Sequence, residues 1–151
     1  MDRGLKVGAF KCGPDYIDPM FHSRVIGAKS GNLDLFFFSP PTLRALLARG
    51  GADRDVAVIE GVMGYYDGMG LTTSRSSTWE TARETGSPAV LVVDAKGASL
   101  SVLAVVEGFL NFQADSGIRG VLLNRCTAGT YPALAGAIRE RFGDRVRPLG
   151  Y

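Results

Sequence analysis

The chain has 151 residues, 46% of them hydrophobic, 21% charged and 20 of them glycine, which fits one compact globular domain and excludes a disordered tail or a collagen-like repeat. A domain of roughly 150 residues buries about 70% of its unfolded surface, so packing can hold a core without disulfide or structural metal. Seventeen Lys and Arg against fifteen Asp and Glu leave +2, too even for an electrostatic grip on nucleic acid or an anionic membrane, and neither is expected as a partner.

The apolar run from Leu5 to Phe10 ends at Lys11-Cys12-Gly13-Pro14, where Pro14 removes a backbone donor; this predicts a strand running into a loop. Ser39-Pro40-Pro41 before Leu43, Leu46 and Leu47 predicts a capped helix, closed by Gly50-Gly51. Val56 to Ile59 is a short buried strand that stops at Glu60-Gly61. Ser77-Thr78-Trp79-Glu80 has the spacing of a capping box and opens a helix that Gly86 and Pro88 close. Ala89 to Val93, ending at Asp94, is the next strand. An amphipathic stretch from about Ser99 to Phe112 follows it, then a strand around Val121-Leu122-Leu123 ending at Asn124, a helix from Tyr131 to Phe142, and a last strand over Val146 to Tyr151. Strands apolar throughout, alternating with helices, are the pattern of a parallel sheet covered on both faces, so an α/β doubly wound, mainly parallel sheet is expected. In such sheets ligands gather at the carboxyl ends of the strands, which here carry Lys11, Glu60, Asp94 and Asn124.

Cys12 and Cys126 have neither zinc-site nor Cys-x-x-Cys spacing and read as reduced thiols. The first six residues lack the apolar core of a signal peptide, and no apolar run approaches the ~18 residues that span a bilayer, so a cytoplasmic location is expected.

The densest polar cluster is Lys11-Cys12-Gly13-Pro14-Asp15-Tyr16-Ile17-Asp18-Pro19, read as a rigid loop leaving a strand. If Glu60 meets Asp15 or Asp18 at about 5 Å, the two charges repel by roughly 3 kcal/mol at an effective dielectric near 20, so Lys11 or Mg²⁺ must supply the counter-charge. Oxygen-rich sites with one or two carboxylates are those in which Mg²⁺ is shared with nucleotide phosphates. The alternative is that the acids cap turns by accepting backbone amides. A nucleotide hydrolase of this architecture also needs a Gly-x-x-x-x-Gly-Lys-Ser/Thr loop. These 151 residues contain none; Gly27-Ala28-Lys29-Ser30 has Ala28 where the glycine belongs.

Four phrases together carry a resemblance. They are Phe10-Lys11-Cys12-Gly13-Pro14-Asp15-Tyr16-Ile17-Asp18-Pro19-Met20-Phe21-His22, Asn32-Leu33-Asp34, Val58-Ile59-Glu60-Gly61-Val62-Met63-Gly64-Tyr65-Tyr66-Asp67-Gly68 and Leu91-Val92-Val93-Asp94. The chain resembles the cobyrinic acid a,c-diamide synthase family over nearly its whole length, through Val121-Leu122-Leu123-Asn124-Arg125 to Leu149-Gly150-Tyr151. The resemblance implies that residues 1–151 are a partial ATP-dependent synthetase domain with a P-loop NTPase, dethiobiotin-synthetase-like fold. That domain would be incomplete at both ends, entered after the phosphate-loop helix and left before a C-terminal glutaminase domain that the full-length chain would carry.

What the resemblance implies for activity is ATP-dependent amidation of the a and c carboxylates of cobyrinic or hydrogenobyrinic acid in cobalamin biosynthesis, with ammonia from glutamine. A carboxylate is a poor acyl donor until ATP converts it to an acyl phosphate, and such phosphoryl transfer depends on positioning and charge stabilisation. By similarity, Lys11 would stabilise the transferring phosphate, and Glu60 with Asp18 or Asp15 would hold Mg²⁺. Tyr16 and Ile17 would orient the tetrapyrrole side chain, and Asn124 would recognise adenine. Tyr65 and Asp67 would line the tetrapyrrole pocket or merely order their loop. Asn124 or Asp94 capping a turn, a solvated Lys11 and a packed or loop His22 are the simpler readings, and His22 is left out of catalysis.

As a partial domain, the chain is expected to be inactive alone and to expose apolar sheet surface that drives self-association, a homodimer being one form of it. Three rivals stand beside this reading. One is a noncatalytic relative that binds a tetrapyrrole or a partner protein. Another is a diamide synthase acting on nickel-sirohydrochlorin. The last is a dethiobiotin synthetase, which the acidic phrase and the Glu60 to Gly68 loop fit less well.

Overall fold

The computed structural model describes residues 3–151 as α/β, with every paired strand parallel. The chain divides into two compact units, the first running to Ser87 and the second covering Pro88–Tyr151.

In the first unit β1 is Val7–Cys12, α1 Ile17–Arg24, β2 Lys29–Leu33, α2 Pro40–Gly51, β3 Val56–Glu60 and α3 Thr78–Thr85, with the strands in the order β2-β1-β3. Central β1 is buried along nearly all its length. Successive strand residues point to opposite faces, so Phe10 and Lys11 face different layers. On the Phe10 side, Leu33 and Leu43 are fully enclosed and Leu46, Leu47 and Ile59 pack around them. Burying a leucine of this kind contributes about 1.5–3 kcal/mol. Helix α2 starts with Ser39 in extended backbone and two prolines in its first turn, where their missing donors cost nothing. It crosses Phe10 at Gly50, where a Cβ would lie 2.7 Å from the ring. On the opposite face α1 lies against β1 and β2. Helix α3 keeps the expected capping box in slightly shifted form. Ser77 Oγ accepts the Glu80 N–H at 3.2 Å while Glu80 Oε2 takes the N–H of Ser76, and Gly86 closes the helix in the left-handed region.

The second unit comprises β4 Ala89–Asp94, α4 Ser101–Asn111, β5 Ile118–Asn124, α5 Tyr131–Phe142 and β6 Arg147–Gly150, in the order β4-β5-β6. Ile118, Val121 and Leu123 of central β5 are fully buried, as are Val106 of α4 and Ile138 of α5.

Three features depart from the sequence expectation. The acidic segment is not loop throughout: from Ile17 it is helical, because Pro19 sits in the first turn, where it is tolerated. Lys29-Ser30-Gly31-Asn32-Leu33 is a strand despite having no β-branched or aromatic residue, so Lys29 and Ser30 open a strand and not a phosphate-binding turn. Third, not every strand is covered on both faces: Val58 of β3 is 53% exposed and Val92 of β4 is 59% exposed. Val56 and Val58 pair with Val7 and Ala9 and so share the Lys11 face, where α1 lies over β1 and β2.

Candidate functional site

Parallel register sets Lys11 beside Glu60 at the carboxyl ends of β1 and β3, both on one face. Helix α1, on the same face, brings up the acidic phrase. Lys11 is 5% exposed, and among the described residues its ammonium meets Asp18 Oδ2 at 2.7 Å, Glu60 Oε1 at 3.2 Å, the Gly61 carbonyl at 3.2 Å and Asp15 Oδ2 at 4.0 Å. Burial alone would lower its pKa, but the hydrogen bonds and charges of Asp18 and Glu60 outweigh that and hold it above the ordinary 10.5. Chiefly through the same Lys11 hydrogen bond, the Asp18 carboxyl lies below its ordinary range.

Asp15 divides its two oxygens. Oδ1 accepts the N–H groups of Ile17 at 2.8 Å and Asp18 at 3.4 Å, fastening the start of α1, while Oδ2 faces Lys11. The turn-capping reading and the charge-cluster reading therefore both hold for this residue. Tyr16 and Ile17, between the acids, are 76% and 62% exposed and open to a bound molecule.

Two residues absent from the sequence-derived set complete the arrangement. His22 follows Asp18 by four positions, hence on the same face of α1, and its Nε2 lies 3.1 Å from Glu60 Oε2. Asn32 of β2 donates its amide to the carbonyls of Gly13, at 3.0 Å, and Asp15, pinning the segment that carries the acids. The spacing of His22 from Asp18 was a usable signal once the segment is helical; for Asn32 the sequence holds no signal beyond its place in the Asn32-Leu33-Asp34 phrase.

After β3 the chain enters a loop held by its own polar groups. Gly64 N–H donates to Asp67 Oδ2 at 3.0 Å, Trp79 N–H donates to the Tyr65 carbonyl at 2.9 Å, and Tyr65 packs edge-on to Tyr66, which is tilted against Trp79 beneath the Arg83 guanidinium. Asp67 and Tyr65 thus order the loop next to Glu60. Gly61, whose carbonyl meets Lys11, has no room for a Cβ, which would lie 2.9 Å from Thr78 Cγ2.

Asn124 and Asp94 belong to the second unit, at the ends of the paired strands β5 and β4. Asn124 Oδ1 accepts the N–H of Arg125, whose own backbone is left-handed at φ 58°. Arg125 grips Asp94 with two nitrogens, and that pair holds the Asp94 carboxyl below its usual range. Cys12 is buried, and burial pushes its thiol up, so it stays protonated and unreactive.

One ammonium facing three carboxylates leaves two negative charges in excess, a balance that suits a divalent cation. The Asp18 and Glu60 oxygens that both touch Lys11 are separated by at most the sum of those two contacts, so the helix and the strand end bring two carboxylates to one ammonium. Among the described residues no three of His, Cys, Asp and Glu form a metal site by themselves, and no helix is long and apolar enough to cross a membrane.

No protein-family model matches the chain, and no solved structure does. Curated relatives do. The cobyrinate a,c-diamide synthase of Clostridium acetobutylicum is 45% identical over 151 residues, 100% of this chain and 34% of the relative. That of Salmonella typhimurium is 44% identical over 150 residues, 99% of this chain and 32% of the relative. That of Listeria monocytogenes is 43% identical over 150 residues, 99% of this chain and 33% of the relative. The chain spans about a third of the length of these relatives and, over that third, is similar to the cobyrinate a,c-diamide synthases.

Proposed function

We propose that the chain provides the carboxylate-activating part of an ATP-dependent amidoligase in cobalamin biosynthesis, which amidates the a and c side chains of cobyrinic or hydrogenobyrinic acid with ammonia from glutamine. The observation that carries this reading is the convergence of Lys11, Asp18 and Glu60 from two strand ends and one helix. The names of the relatives support the substrate class.

In this reading Asp18 and Glu60 hold Mg²⁺, and Asp15 chiefly fixes the helix start that presents Asp18. Bound there, the ion would neutralise phosphate charge and shield the nucleotide from the acids. The buried Lys11 keeps its proton through neutral pH and lends a positive charge to the phosphoryl group in transit. Exposed Tyr16 and Ile17 orient the tetrapyrrole side chain so that its carboxylate oxygen meets the γ-phosphoryl group, and Tyr65 and Asp67 shape the loop beside it. ATP becomes ADP, the carboxylate becomes an acyl phosphate, and ammonia from a glutaminase domain displaces phosphate to leave the amide. The test is ATP- and glutamine-dependent amidation of cobyrinic acid by the full-length gene product. Glu60→Gln and Asp18→Asn are each expected to lower kcat by about a hundredfold, the scale for losing one charge-stabilising group. Wild-type rates in both variants would overturn the assignment.

A further inference from the structure

We infer that His22 is a positioning residue: its Nε2–H donates to Glu60 Oε2 and keeps that carboxylate turned toward Lys11. This rests on reading Lys11, Asp18 and Glu60 as the phosphoryl-transfer site.

Glu60 ends its strand with a half-exposed side chain that nothing in β3 itself restrains. Its two oxygens are held separately, Oε1 by Lys11 at 3.2 Å and Oε2 by His22 at 3.1 Å. One tether would leave the carboxylate free to rotate about its terminal bond; two fix its plane. The tautomer follows from the other ring nitrogen. Among the described residues His22 Nδ1 is buried and has no hydrogen-bond partner, so a proton there would be a donor with nothing to meet. A proton therefore sits on Nε2, where an acceptor waits. Helical geometry supplies the rest: Asp18 and His22, one turn apart on α1, deliver the first to Lys11 and the second to Glu60, so one helix face organises both carboxylates. Packing alone accounts for a largely covered imidazole but not for its Nε2 aimed at a carboxylate from another element.

His22 is the sole histidine of the sequence, so ¹⁵N-resolved imidazole spectra of the chain contain one pair of ring nitrogens. The expected spectrum shows a slowly exchanging proton on Nε2, with the Nε2 resonance moved in Glu60→Ala. An Nε2 that carries no proton, or a spectrum unaffected by Glu60→Ala, overturns the inference. In the full-length product, His22→Phe is expected to raise the Mg²⁺ concentration for half-maximal activity at least about tenfold, as loss of a supporting hydrogen bond does. The KM for the tetrapyrrole should stay in place, and His22→Gln, which keeps an N–H at the same reach, should recover most of the loss. Unaltered Mg²⁺ dependence in His22→Phe also overturns it. If the full-length product does not amidate at all, the functional reading fails while the imidazole spectrum still decides the tautomer and its partner.

Discussion

Lys11 and Asp18 tie the stability of the first unit to pH in opposite directions. Because the Asp18 carboxyl is held below its ordinary 3.8 in the fold, its contribution is complete above that value and disappears as pH falls through the depressed one. The Lys11 ammonium is held above 10.5, so its contribution is complete below that value and disappears as pH rises through the raised one. Urea midpoints measured across pH should therefore fall at both extremes. Asp18→Asn should flatten the acid side, and Lys11→Met should flatten both sides, since the carboxylates lose their partner. An acid limb in Asp18→Asn as steep as in the wild type would contradict the pairing. His22 shows how a residue's chemistry can depend on structure one level up. In a loop, position 22 has no geometric relation to position 18; in a helix the two share a face, and only then does the imidazole acquire a carboxylate to serve.

At the level of elements, punctuation decided what could be read in advance. Helix α2 was legible from the prolines at its start, its leucine spacing and its closing glycines; α3 from Ser77, Glu80 and Gly86; and α5 occupies the predicted Tyr131 to Phe142. Helix α1 was not, since its apolar residues Ile17, Met20 and Phe21 are exposed and form no buried stripe, and Pro19 resembles a loop residue until its first-turn position is known. The same ambiguity split the site. Lys11, Asp18 and Glu60 were readable as residues at strand ends or in a dense phrase, whereas His22 and Asn32 needed α1 and β2 to exist first. Tight packing on the other face gives a check on α2. Gly50→Ala improves helix propensity by about 1 kcal/mol but drives a methyl into the enclosed Phe10 ring, at a cost of about 1–3 kcal/mol. The net effect should be a lower melting temperature, and pairing it with Phe10→Leu should show favourable coupling in a double-mutant cycle. Independent effects would mean that the helix does not cross the ring so closely.

Across the whole molecule, each unit has a central strand well covered and an edge strand that is not. Val58 on β3 and Val92 on β4 present apolar surface at the edges of their respective sheets. Native edges of that kind are blunted with lysine or covered by another segment. Sedimentation velocity of the 151-residue chain should therefore show concentration-dependent association, reduced in Val58→Lys with Val92→Lys. A clean monomer at high concentration would show that these faces are not sticky.

Strand β2 invites a different thought. Ser30 and Asn32, two apart and so on one face, spend their side chains on Pro19, Gly13 and Asp15. Engineers seeking heat tolerance would be tempted to swap both for valine, a far better strand former. Such a swap would harden the scaffold while untying the acids it exists to present, a trade in which ruggedness is gained at the expense of aim.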